Sequence, residues 1–387
     1  MKKWFVGILL LFLGIGTNVG FVNAETNVGD TLKDAIALSF QPSAQDKDAS
    51  EIDATSTLTD QKDVDYYSFT LNSNGLINFY IQQSPSAEIG VALYSQSGKE
   101  LENYYMVKGN DKVILFQEGL PKGKYYFKVF AESGTVQNLS YNVQGMFYEG
   151  DGVELEPNND VKTANPIKLG EEYVGFTDAE KDSKDVFRFT TAKNGVITVN
   201  GSHANVGVKY ELMNAKQEVI ESWELDPGNS DKLIVISKTG LAAGMYYLAV
   251  TKTSGNTDNE YYHFEVDFKE INNYEKELND TMKLANPINL NATYSGILGS
   301  KDDKEFYRFT VAKNKKTSIF ISNVPDTTFK VNVLSSNGKV VKAFITKKGK
   351  GNLVKLADLD LKKGTYYLDI EFQQGEDQQI PYSFAVK

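Results

Sequence analysis

One phrase occurs three times in this chain at a spacing of about 120 residues: Gly123-Lys124-Tyr125-Tyr126, Gly244-Met245-Tyr246-Tyr247 and Gly364-Thr365-Tyr366-Tyr367. Upstream of each copy an acidic residue precedes two aromatics spaced by one: Asp65 before Tyr67 and Phe69, Asp185 before Phe187 and Phe189, Glu305 before Tyr307 and Phe309. A period this long exceeds the roughly 20–50 residues of stacked solenoid repeats, so each unit is large enough to enclose its own core. The chain reads as tandem copies of one module.

The N-terminus reads as a secretory leader, with Lys2 and Lys3, an apolar run from Phe5 to Gly16, and Val22-Asn23-Ala24 before the cleavage point. An uncleaved anchor fits less well, because that run is shorter than the roughly 20 residues a membrane-spanning helix needs. The expected organisation is a leader at 1–24, a divergent repeat 1 at 25–147, repeat 2 at 148–268 and repeat 3 at 269–387. The patterning lapses into polar linker near Tyr148–Gly152 and Lys269–Asn273. This division leaves no separate catalytic domain, and the protein is expected to be secreted.

Cysteine is absent, so stability must come from cores or bound metal. The net charge is -10 and only two arginines occur, Arg188 and Arg308. That is poor equipment for phosphate contacts, and it argues against nucleic acid and against membrane insertion after leader cleavage. An acidic surface attracts divalent cations.

Within repeat 2, apolar residues alternate with period two over Glu172–Thr177, Val186–Thr191, Val196–Gly201, Gly207–Met213, Glu218–Ser222, Lys232–Ser237, Met245–Lys252 and Tyr261–Phe268. Eight short strands in about 120 residues predict an all-β fold of three tandem antiparallel sandwiches of jelly-roll type. Asn74-Gly75 and Asn194-Gly195 suggest tight hairpin turns. Asn159–Ala164 and Asp280–Ala285 have the length of one helical turn, and Gln41–Thr57, peculiar to repeat 1, reads as a solvated loop.

Repeats 2 and 3 open with Glu154-Leu155-Glu156-Pro157-Asn158-Asn159 and Glu275-Lys276-Glu277-Leu278-Asn279-Asp280. In extended chain, residues two apart share a side, so their oxygens face one way. Asp182 and Asp185, and Asp302 and Glu305, follow just before the aromatic strand. Convergence of the two segments would gather about six oxygens, which suits Ca²⁺ and not zinc. Acidic linkers in general are solvated spacers, and that reading stands beside the metal one.

These phrases, with Ala-Asn-Pro-Ile at Ala164–Ile167 and Ala285–Ile288, resemble the bacterial pre-peptidase C-terminal (PPC) domain, a family that includes the collagen-binding domains of clostridial collagenases. The resemblance covers the chain after the leader as three copies and is weakest in repeat 1. It implies sandwiches whose N-terminal linkers dock through calcium. The implied ligands are Glu154, Glu156, Asn158, Asn159, Asp182 and Asp185, and Glu275, Glu277, Asn279, Asp280, Asp302 and Glu305. Asn159 is uncharged where Asp280 is a carboxylate, so repeat 2 should bind the ion more weakly. Repeat 1 keeps only Glu25, Asn27, Asp30, Asp63 and Asp65, and is not expected to bind metal.

Alternation puts Tyr125, Tyr246 and Tyr366 inward and the second tyrosines, Tyr126, Tyr247 and Tyr367, on the wetter face, where a flat aromatic suits ligand binding. Half-exposed strand tyrosines are common without a ligand. Only His203 and His263 exist, too far apart for a His-Glu-x-x-His site, and neither a Gly-x-Ser-x-Gly elbow nor a cysteine nucleophile occurs. No enzymatic activity is expected. The favoured function is a calcium-assisted, secreted, peptidase-associated binding protein for an extracellular polymer, collagen-like or cell-wall. The alternatives are an accessory or scaffold factor for a peptidase or cell surface, and a hydrolase not recognisable by motif.

Overall fold

The computed structural model describes residues 29–82, 86–105, 112–177, 184–203, 206–228, 230–255, 260–298, 304–375 and 379–387. The proposed leader, Glu25, Asn27, Asp182 and Asp302 lie outside them. The chain forms two compact units, Met1–Asp151 and Gly152–Lys387. The first contains one pair of sheets and the second contains two pairs, all built from antiparallel strands with short parallel additions at the edge. These are tandem β-sandwiches.

In repeat 2 one sheet runs in the order Asn165–Pro166, Lys184–Thr191, Gly244–Ser254, Gly207–Asn214, Val219–Leu225, and the other Glu172–Thr177, Glu260–Glu270, Gly195–His203, Ser230–Leu241. All eight expected strands are present, with most ends longer than the alternation suggested. The order repeats in the third pair of sheets, where Lys304–Val311 and Gly364–Gln374 occupy the centre. Because the acidic-x-aromatic phrase lies on a central strand, its alternate side chains must enter the core. Phe187, Phe189, Tyr262 and Phe264 fill one core, and Tyr307, Phe309, Tyr382 and Phe384 fill the next. Each such ring contributes about 1.5–3 kcal/mol by leaving water.

The first tyrosine of each doublet has a second duty. Its hydroxyl donates to the carbonyl four residues back, at Pro121 (2.7 Å), Ala242 (2.9 Å) and Lys362 (3.1 Å). The ring packs inward while the hydroxyl ties down the incoming loop.

Three expectations change. The Asn-Gly pairs do not form hairpins, because the strands they join belong to different sheets. Asn74, Asn194 and Asn314 instead accept from the backbone N–H of Lys122, Ala243 and Lys363, so the amide is what the position needs. Gly75 and Gly195 are required by close approach, since a Cβ there would meet the Tyr148 and Lys269 carbonyls at 2.2 and 2.3 Å. Gln41–Thr57 is a solvated loop only over residues 43–48: Ser50–Leu58 is a sheet strand with Ile52, Ala54 and Leu58 buried. Its small inward residues hide the alternation. Residues 159–163 and 280–284 are bends and turns, not helix.

Tyr210 is wholly buried and its hydroxyl has no hydrogen-bond partner among the described residues. Tyr210→Phe is therefore expected to leave stability unchanged or raise it by up to about 1 kcal/mol, because a buried unpaired hydroxyl costs more than it returns. Thermal unfolding reads this, and a clear fall in melting temperature would reveal a partner for that hydroxyl.

Candidate metal centre

The linker of each later repeat is held to the sheet by one isolated parallel bridge. Val153 bridges Val174 in parallel, with Glu154 N–H donating to the Val174 carbonyl at 2.9 Å; Tyr274 bridges Ser295 in the same way, and Glu275 N–H donates to the Ser295 carbonyl at 2.9 Å. The Asn of Ala-Asn-Pro-Ile closes the arrangement. Asn165 accepts from Leu155 N–H (2.5 Å) and donates to its carbonyl (2.8 Å), and Asn286 does both for Lys276 (2.7 and 2.9 Å). The linker of repeat 3 is gripped on a further side, as Glu277 N–H donates to the Gly240 carbonyl at 3.0 Å.

This anchoring turns the linker carboxylates toward the acidic residue of the aromatic strand. Glu154, Glu156 and Asp185 place one carboxylate oxygen each within 4.8 Å of one another, and so do Glu275, Glu277 and Glu305. Glu154, Asp185, Glu275 and Glu305 are buried. Asn158 and Asn279 complete the clusters: both are fully buried, with Nδ2 donating to Glu154 at 3.2 Å and to Glu305 at 2.6 Å respectively. Their Oδ1 atoms are buried with no hydrogen-bond partner among the described residues. An amide oxygen left bare among carboxylates is costly unless a cation faces it. The oxygen-only donor set fits a hard divalent cation.

Asn159 and Asp280 are exposed, one residue past the buried amides, and Asp280 is not part of the carboxylate trio. Of the twelve ligand candidates, the structure brings together Glu154, Glu156, Asn158 and Asp185, and Glu275, Glu277, Asn279 and Glu305.

Sequence reasoning missed the tyrosines that aim these acids. Tyr262 donates to Asp185 at 2.5 Å and to Glu154 at 3.3 Å; Tyr307 and Tyr382 donate to Glu275 at 2.9 and 3.0 Å. Tyr141, Tyr262 and Tyr382 recur at the repeat spacing, which is the signal that could have found them. Each cluster also needs a glycine. A Cβ on Gly175 would lie 2.2 Å from the Tyr262 hydroxyl, and one on Gly296 would lie 2.1 Å from Glu275 Oε2. Burial pushes the Glu275 carboxyl up to about 8, against the hydrogen bonds from Ile297 N–H and the two tyrosines. Negative charge without a counter-ion is thus costly at this point.

Repeat 1 gathers Asp30, Asp63 and Asp65 into a similar trio, with Tyr141 donating to Asp65 at 2.5 Å. Its linker differs at the decisive position. Gly29, whose carbonyl accepts from Tyr66 N–H as Asn158 accepts from Val186 and Asn279 from Phe306, has no side-chain oxygen.

The second tyrosines do leave the core, but their face is not uniformly wet. Tyr247 is buried under the linker turn, packed with Val161, Ala164, Val186, Met213 and Ala249. This corrects the expectation of an outward ring there. Tyr126 and Tyr367 are half-buried and remain reachable. His263 is buried, 3.0 Å from Glu172 through Nδ1, as a packing residue would be.

Sandwiches with a linker sealed by a carboxylate and amide cluster define a class of tandem β-module, and the chain resembles the PPC domain of bacterial collagenases. Comparison with known proteins finds collagenase ColA of Clostridium perfringens, 27% identical over 184 residues, and collagenase ColT of Clostridium tetani, 24% identical over 233. The matches cover 44% and 58% of this chain but only 16% and 23% of those enzymes, so the chain spans less than a quarter of the curated relatives it matches. Among solved structures is the pre-peptidase C-terminal domain of a Bacillus anthracis collagenase, 26% identical, covering 27% of this chain and 94% of that one, with a TM-score of 0.22. No protein-family profile matches the chain. No helix among the described residues is long and apolar enough to cross a membrane.

Proposed function

We propose that the chain is an exported, non-catalytic binding protein of three PPC-like modules, 25–147, 148–268 and 269–387, the last two each fixing its linker with Ca²⁺. The observation that carries this reading is the bare, buried amide oxygen of Asn158 and of Asn279 beside converging carboxylates. Glu154, Glu156, Asn158 and Asp185 would hold one ion, and Glu275, Glu277, Asn279 and Glu305 the other. Bound calcium supplies the positive charge that those carboxylates lack. Tyr262, Tyr307 and Tyr382 orient the oxygens, and the burial of the cluster keeps water from competing.

The likeness to collagenases supports an extracellular protein polymer of the collagen kind as ligand. Tyr126 and Tyr367 are the reachable rings, and weak modules in series gain avidity on a repetitive polymer. Purified protein is expected to sediment with insoluble collagen, less so with chitin or peptidoglycan, and less after chelation. Tyr367→Ala is expected to weaken retention several-fold with little change in melting temperature. Equal sedimentation with and without collagen would remove the ligand assignment, and titration calorimetry without calcium uptake would remove the metal.

A further inference from the structure

The acidic chain carries one strongly basic segment. Between Lys339 and Lys355 there are six lysines and no acidic residue, whereas the equivalent window of repeat 2, Glu218–Ile234, holds five acidic residues and one lysine. The same fold therefore tolerates either sign there, and folding alone does not call for the lysines. Lys355 pairs with Asp358 at 2.6 Å. Lys339, Lys342, Lys347, Lys348 and Lys350 are exposed and form no ion pair among the described residues.

The segment is built, not loose. Val340–Ile345 ends one sheet and Asn352–Leu361 ends the other, so the turn between them bridges two sheet edges. Thr346 is buried and exchanges hydrogen bonds with the Phe329 backbone, its N–H to the Phe329 carbonyl (2.9 Å) and Phe329 N–H to its Oγ1 (2.8 Å). Gly349 N–H donates to Val324 and Gly351 N–H to Asn323, at 2.9 and 2.6 Å. A Cβ on Gly349 would lie 1.9 Å from the Asn323 amide and force that side chain aside, and Gly351 has φ +84°, a conformation that favours glycine. Lys347, Lys348 and Lys350 consequently project from a turn fixed on both sides, which spares the ordering cost a free loop would meet on binding.

We propose that this turn and the flanking edge strand of repeat 3 form a binding surface for an acidic polysaccharide, separate from the metal clusters and independent of calcium. Lys347, Lys348 and Lys350 on the pinned turn, with Lys339 and Lys342 along the flanking edge strand, match a linear chain of carboxylate or sulfate groups by charge. A lipid surface fits less well, because the tip Thr346–Asn352 holds no apolar residue to enter the acyl region, and the exposed aliphatics Val340, Val341, Ile345, Leu353 and Val354 lie on the two flanking strands. Nucleic acid fits less well too, since the segment offers no arginine and its one aromatic, Phe344, is half-buried on a strand rather than at the tip.

The test uses the full chain on immobilised heparin and on hyaluronan, with phosphatidylglycerol vesicles and duplex DNA as parallel arms. Wild type is expected to be retained at low salt and to elute as salt rises, with or without chelator, because the attraction is ionic. Lys347→Glu, Lys348→Glu and Lys350→Glu together should flow through with an unchanged melting temperature. A control carrying Lys122→Glu, Lys162→Glu and Lys216→Glu changes net charge equally on exposed positions elsewhere and should still be retained. Retention of the turn variant, equal loss in both variants, failure of wild type to bind either glycan, or preference for vesicles or DNA over both glycans would each overturn the proposal. Loss in the turn variant with calcium uptake intact supports it.

Discussion

Calcium added to chelator-treated protein is expected to raise the melting temperature, and Glu275→Gln combined with Glu305→Gln to abolish the share contributed by repeat 3. At a calcium concentration about a hundred times Kd, each occupied site adds about 2.7 kcal/mol by binding the folded form alone. For a domain pair of this size that corresponds to roughly 5–10 °C per site. The variant separates a metal site from a merely structural cluster by its sign in the absence of ion. Neutralising two buried acids relieves their desolvation, so the chelated variant should melt no lower than chelated wild type, while its calcium response falls. If the variant kept the full calcium-dependent rise, Glu275 and Glu305 would not be ligands. If chelated variant lost several degrees against chelated wild type, the pair would be holding the fold without an ion.

Without calcium, stability is expected to fall as pH rises between about 4.5 and about 8, and calcium should flatten that dependence. Glu275 carries the effect. Burial raises its carboxyl from an ordinary 4.5 to about 8, and it is faced by Glu277, Glu305, Tyr307 and Tyr382 with no cationic side chain among them. A raised folded-state pKa means that the native form holds a proton the unfolded chain has released. The associated stability is therefore full below the unfolded value and is lost as pH climbs through the folded one. Asp369, pushed to about 6 mainly by burial and further by Glu371, acts in the same direction over a narrower window. The combined swing is on the order of a few kcal/mol. Urea unfolding at pH 5 and pH 8 with chelator measures it. Greater stability at pH 8 than at pH 5 would contradict the burial of an uncompensated carboxyl, and an equal slope with calcium present would detach the effect from the ion.

Much of this site was legible in the chain itself, for reasons that differ by element. The linker acids and the acids before the aromatic strand stood out because they recur together, and a repeat supplies an internal comparison that one copy lacks. The strands of repeat 2 were readable because large apolar residues alternate cleanly. Ser50–Leu58 was not, since Ala54 and Ser56 take inward places and mask the period. Asn74-Gly75 misled because the same two residues that favour a hairpin turn also suit a loop between sheets, where the amide caps a distant backbone N–H and the glycine yields to a carbonyl.

Local pattern by itself determined the all-β class, the repeated module and most of the acids that could bind an ion, because alternation and composition are properties of neighbours along the chain. Only the folded arrangement decided that Glu154 meets Asp185 and Glu275 meets Glu305, that Tyr262, Tyr307 and Tyr382 aim them, that Tyr247 is covered while Tyr367 is reachable, and that Lys347, Lys348 and Lys350 project from a pinned turn. Those facts depend on which strands lie side by side and on what the linker covers, and distance in space between residues a hundred positions apart is set by the packing of two sheets.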